Sequence, residues 1–178
     1  MQDILMEKVN NYKDKERYEI INGKVYMMAP ASPVHERICA SIIMRLGEAL
    51  KGKPCDVYSS SLAVYLSGDV NDKNYFMPDI TVACDKSKIS GRGHEGAPTL
   101  VIEILSSDPG HDRVEKFNAY LQAGVQEYWI VDPVDKIVSV YILENNKYIA
   151  QNYSGSGIIP ANALKGCKID LKGVFPEE

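Results

Sequence analysis

Long apolar runs, paired cysteine motifs and an excess of positive charge are all missing from this 178-residue chain, and each absence removes a class of protein. No stretch approaches the roughly 20 apolar residues that a membrane-spanning helix needs. The opening Met1-Gln2-Asp3-Ile4-Leu5-Met6-Glu7 has no basic segment followed by an apolar run, so no secretory signal is expected and the cytoplasm is the expected compartment. Cys39, Cys55, Cys84 and Cys167 are scattered, without a CxxC pair or matching histidine spacing, which argues against structural zinc. Buried free thiols are expected instead. Net charge is −4 and the sequence pI is near 5.5. Such a balance excludes a non-specific DNA coat, which rests on clustered Lys and Arg neutralising phosphates. An enzyme of nucleic acid whose basic groups line a single cleft remains compatible.

What is present is a 45% hydrophobic, 25% charged composition, that of a soluble globular protein. The length suits one well-filled core and falls short of two ordinary domains. Residues 1–16 are polar and read as an N-terminal arm, with residues 17–178 forming a single domain. Asn22-Gly23 between Arg17–Ile21 and Lys24–Met28 is a hairpin signal, because both central residues tolerate positive φ. Ser32 followed by Pro33 reads as a helix start, and Val34, Ile38, Ile42, Leu46 and Ala49 recur at helical spacing up to Gly52. Val57–Leu66 reads as one strand, followed by a polar loop over 67–74. Strands are expected around Asp79 and Glu103, joined by a long loop through Gly91, Gly93 and Gly96. Ser107-Asp108-Pro109-Gly110 reads as a turn and 111–122 as a helix that Gly124 terminates. Gln126–Asp132 is a buried strand, and 137–143 and 147–153 form an antiparallel pair. The whole is a mixed α/β (α+β) domain.

Two acids stand out because they interrupt apolar strand patterns. Asp79 lies in Phe76-Met77-Pro78-Asp79-Ile80-Thr81-Val82, and Glu103 in Leu100-Val101-Ile102-Glu103-Ile104-Leu105. A buried carboxylate is costly unless its charge is compensated. Two of them on neighbouring strands suit a hard divalent ion such as Mg²⁺, which prefers oxygen ligands and keeps some of its waters. Such an ion supports phosphodiester hydrolysis by acidifying water and stabilising charge on a phosphoryl oxygen. Lys116 is the candidate cation, since Asp112, Lys116 and Tyr120 share one helix face shortly after Glu103. Glu19 offers a third carboxylate, and His35, in the first turn of the long helix, offers phosphate contact or proton transfer.

Each residue alone also has an ordinary structural explanation: a strand-edge acid, an ion pair of Glu103 with Lys116 or Arg113, a helix-capping histidine. His94 and His111 are assigned no role, and Tyr128 and Trp129 read as core aromatics. The set carries the functional reading.

Together, Tyr18-Glu19-Ile20-Ile21-Asn22-Gly23, Ser32-Pro33-Val34-His35, Pro78-Asp79-Ile80 and Val101-Ile102-Glu103-Ile104-Leu105-Ser106 resemble the Uma-two family within the PD-(D/E)XK nuclease superfamily. The resemblance continues through Asp112, Lys116, Tyr120 and Ala123-Gly124-Val125-Gln126-Glu127-Tyr128-Trp129-Ile130-Val131-Asp132-Pro133, and covers about residues 14–172. It implies a restriction endonuclease-like mixed β-sheet flanked by helices, with the N-terminal β-hairpin and a C-terminal antiparallel extension. It further implies an Mg²⁺-dependent endonuclease centre acting on DNA, with Mn²⁺ as a possible substitute. Asp79 and Glu103 match the metal-binding acids, and Ile104 the residue that lends a backbone carbonyl. The superfamily lysine expected two residues after Glu103 is Leu105 here, and Lys116 matches a displaced lysine on the next helix. Glu19 and His35 match recurrent polar positions, with His35, Asp112 and Tyr120 expected to face substrate. A homodimer is expected, since cutting two strands favours paired sites. Two further classes stand beside this one: a non-catalytic DNA- or protein-binding module with a vestigial centre, and a phosphohydrolase for small phosphates.

Overall fold

A computed structural model describes residues 17–72, 74–106 and 112–177, with Asp112 and Arg113 described by backbone alone. The expected arm at 1–16, the turn at 107–110 and His111 lie outside the described residues. The chain opens with strands β1 (Tyr18–Ile21) and β2 (Lys24–Met27), paired antiparallel. Asn22 and Gly23 both take positive φ, 51° and 76°, as the tight hairpin requires. Helix α1 (Pro33–Ala49) follows. Ser32 Oγ accepts from His35 N at 3.2 Å, and Pro33 occupies the first turn, where a missing N–H costs nothing.

Then come β3 (Asp56–Ser59), β4 (Val64–Tyr65), β5 (Ile80–Ala83), β6 (Ile89–Ser90), β7 (Gly93–Glu95) and β8 (Leu100–Ile104). The single strand expected over 57–66 is thus two, separated by a turn in which Leu62 N donates to Ser59 O. The loop expected between the acidic strands supplies β6 and β7, which join β4 in a short three-stranded sheet ordered β4-β7-β6. After β8 the chain makes one π-helical turn, Asp112–Lys116, and continues as α2 (Phe117–Ala123). Gly124 ends α2 at φ 83°, in the left-handed conformation that relieves the last carbonyls. Strands β9 (Glu127–Asp132), β10 (Ile137–Glu144) and β11 (Lys147–Ser154) follow, with Asn145 and Asn146 turning between the last two at positive φ. A closing hairpin, β12 (Ile158–Ala161) and β13 (Cys167–Asp170), was not anticipated.

Six strands form the main sheet in the order β11-β10-β9-β8-β5-β3. Only β8 and β9 are parallel, which makes the sheet mixed. Central β8 is buried on both faces, as its unbroken apolar run requires. One face packs Ile80, Val82, Ile102, Ile104 and Trp129 against Ile38, Ile42 and Leu46 of α1 and the C-terminal Ile169, Leu171 and Val174. The opposite face packs Val101, Leu105, Tyr128 and Ile130 against Tyr120 and the hairpin residue Ile21. Tyr128 and Trp129 are both fully buried, on opposite faces. Among the described residues no helix is long and apolar enough to cross a membrane.

The cysteines depart from expectation. Cys55 and Cys84 are joined by a disulfide, and only Cys39 and Cys167 are free and buried. The cause is strand register: Asp56 pairs with Ala83, so the next residues outward on β3 and β5 face each other. Nothing in a spacing of 29 residues announces that contact. Disulfides persist mainly in oxidising compartments, so this pairing runs against the expected cytoplasmic setting.

Candidate active site

Strand β8 organises the site. Strand alternation turns Glu103 to the same face as Val101 and Leu105, beneath α2. Glu103 Oε1 accepts from Lys116 Nζ at 3.0 Å and from Tyr120 Oη at 2.7 Å. Lys116 and Tyr120 are four residues apart, so helical spacing carries both onto one carboxylate. Residues 112–116 form a π turn ahead of α2. The Asp112 side chain, expected to face substrate, lies outside the described residues.

Lys116 has a second carboxylate. Glu19 Oε1 on β1 lies 3.1 Å from its ammonium and also accepts from Met77 N at 2.7 Å. Glu19, Glu103 and Lys116 are only 2–3% exposed. A lone buried charge at any of these positions costs several kcal/mol, so the ammonium between two carboxylates is what makes the burial tolerable. Tyr120 is wholly buried between Phe76 and Tyr128, ring centroids 5.4 and 5.0 Å away. Burial, reinforced by the charges of Glu103 and Glu19, pushes its phenol well above the ordinary range. Tyr120 therefore stays protonated and donates.

Asp79 stands just before β5 and joins a second cluster. Its Oδ2 accepts from Ile104 N at 2.8 Å and contacts His35 Nε2 at 3.0 Å. Ile104 follows Glu103 directly, so the two acids meet consecutive residues of β8. It is the Ile104 amide that touches Asp79, while its side chain is buried in the α1 face. The bond to Asp79 raises the His35 pKa, against burial, which lowers it. Two buried polar atoms have no hydrogen-bond partner among the described residues, His35 Nδ1 and Thr81 Oγ1. One belongs to the partner of Asp79 and the other lies two residues along the strand from it.

Residues 6–172 match the model of the Uma2 family, described as "Putative restriction endonuclease". The chain belongs to the Uma2 family. Among its relatives are two proteins of Synechocystis sp. (strain ATCC 27184 / PCC 6803 / Kazusa). Uncharacterized protein slr1290 is 28% identical over 147 residues, spanning 81% of this chain and 76% of its own. Uncharacterized protein sll1609 is 26% identical over 121 residues, spanning 66% and 67%. The crystal structure of a putative nuclease belonging to DUF820 from Anabaena variabilis superposes with a TM-score of 0.71 at 20% identity, covering 90% of each chain. The fold is therefore restriction endonuclease-like, a mixed sheet with flanking helices, as the Uma2 resemblance implied.

Glu127, in the family-like Gly-Val-x-Glu-Tyr-Trp segment, was overlooked. It is fully buried, accepts from Trp129 Nε1 and Ala163 N, each at 2.7 Å, and so ties β9 to the closing hairpin. Desolvation raises its pKa. A charged residue in an apolar strand was the available signal, the one already used for Asp79 and Glu103. His94 is also buried and bonded through Nδ1 to Gly96 O at 3.1 Å, a local structural contact.

Proposed function

We propose that this Uma2 protein is a metal-dependent nuclease that hydrolyses DNA phosphodiester bonds. One observation carries the reading: Asp79 is held by the amide of Ile104, the residue next to Glu103 on β8, while Lys116 and Tyr120 converge on Glu103. The donor set fits Mg²⁺ or Mn²⁺. Carboxylate oxygens are hard ligands, the Asp79 side chain keeps 13% exposure, and the unpartnered His35 Nδ1 and Thr81 Oγ1 leave polar groups for water or substrate beside it. Among the described residues no three His, Cys, Asp or Glu side chains form a cage. An ion here rests on Asp79 and Glu103, with a backbone carbonyl such as that of Ile104 and with waters, as suits Mg²⁺. When bound, it supplies an acidified water and charge stabilisation at a phosphoryl oxygen.

The chain's own groups set the stage. Tyr120 and Lys116 hold Glu103 in one orientation, and the Ile104 amide and His35 do the same for Asp79. With both nitrogens protonated, His35 donates Nε2–H to Asp79 and has Nδ1–H left for an anionic substrate; in the neutral ring that donates to Asp79, Nδ1 is a proton acceptor. Lys116 places positive charge beside the carboxylates, where charge develops in the transition state. A homodimer with paired sites matches the demands of double-strand cutting.

A second reading is favoured by the doubly paired Lys116, whose contacts with Glu19 and Glu103 would equally stabilise a non-catalytic module. Incubating supercoiled plasmid and linear DNA with Mg²⁺ or Mn²⁺ separates the two. The nuclease reading expects cutting by the wild type and its loss in Glu103→Ala; equal cutting by both proteins rejects the assigned centre.

A further inference from the structure

Glu103 begins a row of residues that continues away from the carboxylates across the same face of the sheet. Glu103 is in register with Ile130 on β9, Ile130 with Ser139 on β10, and Ser139 with Asn152 on β11. With strands about 4.8 Å apart, Ser139 and Asn152 lie roughly 10 and 14 Å along the sheet from Glu103. A cleft of about 330 Å³ opens over this row, lined by Ile130, Ser139 and Asn152 together with Tyr141, Asp132 and Asp135. That volume is at the lower end of small-molecule sites.

The lining selects among ligands. Tyr141 gives a rigid flat wall, its ring held by Phe117 at 5.0 Å and Tyr128 at 6.0 Å. The turn at the rim is set by Asp132 Oδ1, which accepts from Val134 N and Asp135 N. The exposed Asp135 carboxylate repels a phosphate, so the backbone of a nucleic acid does not sit here. It favours N–H donors. The Asn152 amide and Ser139 hydroxyl, which take no hydrogen bond among the described residues, add both a donor and an acceptor. A flat, neutral ring bearing an amino group meets all of these demands. Carboxylates accept from the amino group of cytosine, and Asn reads adenine, whereas thymine offers no amino group.

We propose that this cleft is a nucleobase subsite for a nucleotide next to the scissile phosphate, and that it prefers bases carrying an exocyclic amino group over thymine and uracil. The proposal deepens the nuclease reading and rests on it for the position of the phosphate.

Two measurements test it. In the first, deoxycytidine 5′-monophosphate and thymidine 5′-monophosphate are titrated separately into the protein and followed by NMR. The cytidine nucleotide should bind about tenfold more tightly and move the Asn152 and Ser139 resonances. Asn152→Leu and Asp135→Leu, both at exposed positions, should each bring the ratio of the two affinities close to one. Equal affinity for the two nucleotides, or shifts that cluster elsewhere and ignore both variants, overturns the proposal. In the second, single-stranded oligonucleotides that differ only by C against T at one position are incubated with wild type and Asn152→Leu. Glu103-dependent cutting that treats C and T alike, in both proteins, leaves the nuclease standing and rejects the subsite. Selective cytidine binding without any cutting keeps the cleft as a nucleotide site and rejects the hydrolytic reading instead.

Discussion

Replacing Lys116 with Met keeps the length of the side chain and removes its charge, leaving Glu19 and Glu103 buried without their shared cation. Removing one partner of a buried ion pair costs about 3–5 kcal/mol, because the orphaned charge has lost its water and its counter-charge together. For a chain of this size each kcal/mol lowers the melting temperature by about 2–4 °C, so Lys116→Met should melt roughly 6–20 °C below wild type at neutral pH. Adding Glu19→Gln and Glu103→Gln removes the uncompensated charge and should restore more than half of the lost stability. Calorimetric melting of the wild type, Lys116→Met and the triple variant at neutral pH checks both statements. A Lys116→Met protein that melts within about 2 °C of wild type, roughly 1 kcal/mol or less, refutes the reasoning, as does a triple variant no better than the single one.

The contact of His35 with Asp79 predicts that its imidazole titrates above the ordinary 6.5 in metal-free protein, and that Asp79→Asn brings it back down. A raised folded value means that this pair stabilises fully below pH 6.5 and that its contribution is lost as pH climbs through the folded value; an NMR titration midpoint at or below 6.5 would contradict it. The Cys55–Cys84 disulfide predicts two thiols by reagent titration in denaturant without reductant and four with it. Closing a 29-residue separation is worth about 3.6 kcal/mol, so Cys55→Ser should melt several degrees lower. Four thiols without reductant would show the bond does not form.

Much of the site was legible because its determinants are local. Asn22-Gly23 set the first turn, Ser32-Pro33 set the start of α1, and a carboxylate at Glu103 could be matched to Lys116 and Tyr120 one helical turn apart. What escaped depends on distant segments meeting. Cys55 reaches Cys84 only through the pairing of β3 with β5. Glu127 is satisfied by Ala163, 36 residues downstream, on a hairpin whose strands are only four residues long and whose first strand holds Pro160, a poor strand signal. The strand expected over 57–66 breaks because Val64 pairs with Phe76 and His94 rather than with the main sheet. The π turn at 112–116 has no sequence signal of its own.

The central claim is that Asp79 and Glu103 hold one divalent ion together. Titrating Mn²⁺ into the protein, with free ion followed by electron paramagnetic resonance, tests it without requiring that the correct DNA be known. One ion per chain should bind at millimolar concentration or below, and Asp79→Asn should abolish that binding. No binding by the wild type, or the same binding by both proteins, would contradict the account.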